Sequence, residues 1–283
     1  MALISCTSCL SDDDIHLEAP GADGARVLRC GLCGHTWSPA PAGRAVASTR
    51  TPFDMAKGRF ARATMVAPER NARVTRLRTA FLKAAAEPDP AVAEHRTRYQ
   101  ELFSPAGLAS CSPQDLRDFA TSRVDGIPGS TAVLTRAWNR LGDDESAARI
   151  RASISHLLHG PSSTPLEDRL TDLLDDADGT GMPGFAEAQL TRVLCVVEPA
   201  RFLPILTYGT EATGKRDVVL DVFGLHLPRV PDAVSMTTGR LAVWSNDLLL
   251  ELAGGGFADA GQAASFLTHA QQRLGRSALA VVR

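Results

Sequence analysis

The chain has 283 residues, of which 44% are hydrophobic and 22% charged, and carries a net charge of −2. That balance suits a globular protein, either one large domain or a small module beside a medium one, and argues against a uniformly basic nucleic-acid protein. No apolar run approaches the roughly 20 residues a membrane span needs, and the first residues lack the basic-then-apolar layout of a secretory signal, so a cytoplasmic protein without a membrane partner is expected.

The most specific chemistry comes first in the chain. Cys6-Thr7-Ser8-Cys9 is followed by Cys30-Gly31-Leu32-Cys33-Gly34-His35-Thr36-Trp37. Two C-x-x-C pairs at this separation read as a zinc ribbon. Each pair occupies a tight turn, and four thiolates complete the closed tetrahedral shell of a structural zinc site, with no open position for catalysis. Gly31 and Gly34 suit such turns because glycine tolerates positive φ. Disulfides or free thiols are the other readings of the same cysteines. The clustering and the missing secretory signal favour metal, while Cys111 and Cys195 stand alone, as in a reducing compartment.

Residues 3–38 resemble a short bacterial zinc-ribbon family with the pattern C-x-x-C, a polar loop, then R-C-x-x-C-G-H-x-W. Arg29, Cys30, Cys33, Gly34, His35 and Trp37 match the second half. The resemblance implies Zn²⁺ held by Cys6, Cys9, Cys30 and Cys33, with His35 beside the site. In that family the ribbon is an accessory module carried by many unrelated proteins.

Residues 38–53 are rich in proline, alanine and serine without hydrophobic periodicity and read as a linker. From Arg44 to Lys83 ten basic residues stand against Asp54 and Glu69 alone. Pro68-Glu69 marks a helix start, and Val74, Leu77 and Phe81 make an apolar stripe, with Arg73, Arg76 and Lys83 off it. A basic amphipathic helix beside a zinc ribbon has the form of a phosphate-contacting arm. An ordinary solvated helix whose arginines pair with acidic surface has the same pattern.

Beyond residue 88 the pattern is helical almost throughout. Asp89-Pro90 opens a helix through Phe103; Ser104-Pro105 and Ser112-Pro113 each give an N-cap and N1 proline. Amphipathic helices are expected at 130–141 and 144–158, from Thr164-Pro165 to about Asp176, and at 185–197, 237–253 and 259–274. Val218–Phe223 is the single candidate strand. The expected architecture is thus mainly α: a small β ribbon (1–38), a linker with the basic helix (39–88) and an all-α domain (89–283).

Three constellations lie in the helical part. Gly181-Met182-Pro183-Gly184 between two helical patterns resembles a helix-hairpin-helix, whose backbone amides after Gly184 grip a DNA phosphate. The catalytic aspartate that DNA glycosylases place after such a hairpin is missing from Phe202–Thr207. Asp176, Asp178, Thr180, Gly181 and Glu187 occupy positions of an EF-hand calcium loop, but no second loop exists to pair with it. Gly209–Arg216 falls one residue short of a P-loop, lacking the hydroxyl that coordinates Mg²⁺. An exposed loop offering Lys215 and Arg216 as positive charge is the expectation there. The histidines at 95, 156, 159, 226 and 269 carry no hydrolase or metalloprotease motif, so an enzyme is not expected.

Residues 101–120 and 184–204, with Thr213–Asp217 and Thr238–Leu249, resemble the helical region ahead of the motor in McrB-type restriction ATPases. The chain has no motor or nuclease signature, so what the resemblance implies is a recognition or adaptor module of a phage-defence system, working beside a partner ATPase or nuclease. The expected function is DNA association through Arg59, Arg62, Arg70, Arg73, Arg76, Gly184, Lys215 and Arg216. A protein-interaction scaffold whose basic helix binds acidic protein is the alternative.

Overall fold

The computed structural model describes residues 15–18, 27–31, 34–37, 50–84, 89–126, 130–176, 179–209, 213–229 and 231–280. The chain divides into two compact units, Met1–Ser48 and Thr49–Arg283.

In the first unit β1 (Ile15–Leu17), β2 (Leu28–Cys30) and β3 (Thr36–Trp37) form an antiparallel sheet in the order β1-β2-β3. Ile15 lies opposite Cys30, and Leu28 lies between Leu17 and Trp37. Leu28 and Cys30 are buried while Arg29 between them is exposed, the period-two alternation of a strand with one covered face.

The described residues of the second unit are helical: α1 (Phe53–Lys57), α2 (Pro68–Ala84), α3 (Pro90–Leu102), α4 (Pro105–Ser110), α5 (Pro113–Thr121), α6 (Ala132–Leu141), α7 (Asp143–His159), α8 (Leu166–Asp175), α9 (Glu187–Val197), α10 (Lys215–Val218, continued by a π-helical turn, Val219–Phe223), α11 (Thr238–Ala253) and α12 (Ala260–Ala280). Mainly α is therefore the observed class of this unit. The expected caps form. Asp89 Oδ1 accepts from Ala91 N at 2.9 Å and Ser104 Oγ from Gly107 N at 3.0 Å. Ser112 and Asp115 exchange side-chain and backbone bonds as a capping box.

Two apolar cores are built from these helices. The first is gathered from α3 to α9, where Tyr99, Phe103 and Phe119 contact one another at ring distances of 4.9–5.6 Å. The second joins α1 and α2 to α10, α11 and α12 around Trp244, which meets Phe53 and Phe60 edge-on at 5.6 and 5.5 Å. Arg50–Phe53 therefore departs from the expected linker. Thr51 N–H donates to the Val234 carbonyl, and Phe53 closes over Trp244. Composition alone hid this, because the aromatic partner comes from α11.

Val218–Phe223 corrects the expected strand. Val218, Val219, Val222 and Phe223 are buried while Leu220 is 37% exposed, a helical rather than alternating pattern. At the expected hairpin, residues 176–186 separate α8 from α9; both helices pack on α7, and α8 packs also on α11 and α9 on α3.

Candidate functional site

The second C-x-x-C of the first unit begins at the end of β2. Cys30 is fully buried; its N–H donates to the His35 carbonyl (2.9 Å) and its carbonyl accepts from Gly34 N–H (2.8 Å). Gly34 sits at φ +71°, so the chain reverses tightly just after the second cysteine position. Among the described residues no three His, Cys, Asp or Glu side chains come together as a metal-binding group. Cys6, Cys9 and Cys33 lie outside the described residues.

The basic helix α2 divides its cations between two tasks. Val74 is buried, and Leu77 and Phe81 pack against the second core, as the stripe requires. Arg70 donates through Nε to the Val222 carbonyl at 2.9 Å and through Nη2 to that of Asp221. Arg78 Nη1 donates to the Ala253 carbonyl at 3.0 Å. Both therefore satisfy carbonyls at helix ends, which lack partners within their own helix. Arg76 and Lys83 are exposed on the other side and Arg73 on the flank beside Leu77; Arg59 and Arg62 on the segment before α2 are exposed as well, and Arg62 Nη2 bonds the Gly58 carbonyl at 2.9 Å.

Three other predicted site residues serve different ends. Gly184, at φ +82°, lies so close to α6 that a Cβ there would come within 2.5 Å of the Leu134 nitrogen. A glycine at this turn is thus demanded by packing. Lys215 corrects the expected exposed loop: it is 1% exposed, and its Nζ donates to the Ala242 carbonyl at 3.0 Å. Burial pulls the Lys215 amine down, opposed by the nearby Glu187 carboxylate. Burial likewise pushes the Glu187 carboxyl up, opposed by Lys215 and by the Tyr208 N–H that Glu187 Oε1 accepts. In this fold the Lys215 amine is enclosed against Ala242, and Glu187 Oε1 is engaged by the Tyr208 N–H. Arg216, half-buried, pairs with Asp217 at 3.2 Å and bonds the Arg229 carbonyl.

His159 Nε2 lies 2.8 Å from the Phe103 carbonyl, and His156 Nε2 is 3.7 Å from Asp172, beyond hydrogen-bond reach. The lone thiol Cys195 is fully enclosed, and burial pushes it up to about 12, so it stays a protonated, inert core residue.

Two ionic arrangements were not legible in the sequence. Arg240, 1% exposed, forks onto Asp168 at 2.7 and 3.0 Å and also donates to the Thr51 and Ser235 carbonyls. Arg96 on α3 reaches Asp125 at 2.6 Å and Asp259 just ahead of α12. Burial disfavours the Arg96 charge, but hydrogen bonds to Asp125 and Asp259 outweigh it and raise its proton affinity. Both networks pair groups far apart in the chain, so no local spacing announces them.

No family model, no curated protein and no solved structure matches the chain. Among the described residues no helix is long and apolar enough to cross a membrane.

Proposed function

We propose that this protein is a DNA-associated adaptor, a zinc ribbon joined to a helical domain that holds a phosphate backbone along the outer face of α2. The observation that carries the reading is the exposed pair Arg76 and Lys83, opposite the side of α2 that packs on the core, with Arg73 exposed on its flank. Arg76 and Lys83 are two turns apart, about 10 Å along the axis, on one line of the helix. Glu69 is the one acid on α2. Arg59 and Arg62 extend the supply of exposed cations, whereas Arg70 works as a cap. The chemistry asked of the domain is binding only. Work on the DNA would come from a partner ATPase or nuclease of a restriction-like defence system, a role that rests on the sequence resemblance.

The salt dependence of duplex binding tests this. Each neutralised phosphate contributes about −0.9 to the slope of log affinity against log salt. Changing Arg73, Arg76 and Lys83 together to alanine should flatten the slope by about two to three and weaken all sequences alike. Arg70→Ala should lower the melting temperature and leave the slope intact. An unchanged slope in the triple variant refutes the DNA reading and favours the scaffold, in which the same face meets acidic protein.

Zinc belongs to the same proposal, held by Cys6, Cys9, Cys30 and Cys33 as a structural ion. A module of this size cannot hold its fold by burial alone. One zinc per chain is expected by metal analysis. Cys30→Ser should release it and leave the helical circular dichroism unchanged, because the second unit has its own cores. Retention of stoichiometric zinc by Cys30→Ser would remove Cys30 from the ligand set.

A further inference from the structure

The α2–α3–α12 region contains a cleft of ≈ 600 Å³. That volume is in the range of small-molecule sites, which combine apolar walls with a few convergent polar groups. Phe81 from α2, Val92 and Ala93 from α3, and Pro204 supply apolar wall. The Phe81 ring is braced by Phe266 and His269, each at 5.7 Å, so one aromatic surface of the wall is held in place.

The polar side of the cleft is unequal in charge. Asp89, Asp125 and Asp259 line it with Arg96 as the one cation among the lining residues. Arg96 does not offer itself to an incoming anion: Nε and Nη2 are engaged by Asp125, and Nη1 by Asp259. Its side chain is 12% exposed and that of Asp125 only 2%, so this pair forms the floor. Asp89 and Asp259 also cap helices, through Ala91 N and Gln262 N. Asp125 faces the buried Arg192 as well as Arg96, so the carboxylate charge in excess lies with Asp89 and Asp259, beside an apolar, aromatic wall.

The geometry points to this cleft as a binding site for a small organic cation, an amine or amidine on an aromatic or branched apolar body. The body lies against Phe81, Val92 and Pro204, displacing water from apolar surface. The head faces Asp89 and Asp259. An anion of the same shape meets like charge and finds no available guanidinium. The site shares no residue with the outer face of α2, so it stands independently of the DNA reading.

The test uses the full chain with two probes of opposite charge and similar shape, phenethylamine and phenylacetate, followed by saturation-transfer NMR and thermal shift. Phenethylamine should saturate at about millimolar concentration, as expected for so small a ligand. Phenylacetate should bind at least about tenfold more weakly, since like charges disfavour it. Ala93→Leu places extra volume in the cleft from an exposed helical position and should weaken phenethylamine about tenfold with unaltered circular dichroism. Asp89→Asn keeps an N-cap while removing one charge, and should weaken it about two- to fivefold, the size of an exposed ionic contact. Equal binding of the two probes overturns the cation assignment. Undiminished binding by folded Ala93→Leu overturns the location, and no saturation by either probe overturns the site.

Discussion

Replacing Asp168 with alanine should cost about 3–5 kcal/mol of folding stability, because it strands a buried guanidinium. Arg240 is 2% exposed in its side chain and Asp168 12%, and Arg240 donates a pair of bonds to Asp168 at 2.7 and 3.0 Å. Taking a charge out of water is costly, and only a well-placed counter-charge with further hydrogen bonds offsets it. The Thr51 and Ser235 carbonyls stay with Arg240 in the variant, but they carry partial charge only. A loss of that size is a large share of the about 5–15 kcal/mol typical of a whole domain. The double variant Asp168→Ala/Arg240→Met should be more stable than Asp168→Ala alone, since it removes the stranded charge with its partner. Urea titrations of the three proteins decide the matter. If Asp168→Ala stays within about 1 kcal/mol of the parent, water reaches the guanidinium and the pair is an ordinary surface contact.

What could be read beforehand follows from how far each signal reaches. Asp89-Pro90, Ser104-Pro105 and Ser112-Pro113 contain both the cap and the fixed φ of the first helical residue, so these helix starts are legible within two residues. The stripe Val74–Leu77–Phe81 is likewise local, and α2 buries it. Arg50–Phe60 is different. Phe53 and Phe60 look like isolated aromatics in a proline- and arginine-rich stretch until Trp244 on α11 arrives to pack against both. Val218–Phe223 misled because β-branched residues favour strands on average, whereas tertiary packing here buries a helical pattern.

The candidate site divides in the same way. The cysteine spacing is a local signal, but of the four cysteines only Cys30 lies among the described residues. The arginines of α2 are legible as a charged helix, but their division of labour is not. Arg70 and Arg78 turn to the carbonyls of Val222 and Ala253, which only the fold brings near. Lys215 is the sharpest case. A lysine just after a glycine, followed by an arginine, reads as a surface charge, yet the turn into α10 carries it inward to Ala242. The Arg96 clasp depends on three separate segments, and the cleft beside it on five.

Gly239→Ala sets two of these scales against each other. Gly239 lies in the first turn of α11, and an alanine within a helix is favoured over glycine by about 1 kcal/mol. Judged by local propensity, the substitution stabilises. The neighbours say otherwise: a Cβ at this position would come within 2.3 Å of the Glu167 carbonyl oxygen and 2.4 Å of the Thr171 nitrogen. Both are backbone atoms of α8, so no side chain can swing aside. At the same crossing the hydroxyls of Thr171 and Thr237 are 2.7 Å apart, and Thr171 also donates to the Glu167 carbonyl at 2.8 Å. Relief requires α8 and α11 to separate, loosening this pair and the Arg240–Asp168 fork beside it. Strain of this kind typically costs about 1–3 kcal/mol, and contacts this short against backbone put it at the upper end. Net of the propensity gain, Gly239→Ala should lose about 2 kcal/mol in urea titration. Gly255→Ala is the control, because nothing lies within 4 Å of its Cβ position; it should stay within about 0.5 kcal/mol of the parent. A gain of about 1 kcal/mol at Gly239 would mean that propensity decides there and that α8 and α11 stand farther apart than this packing requires.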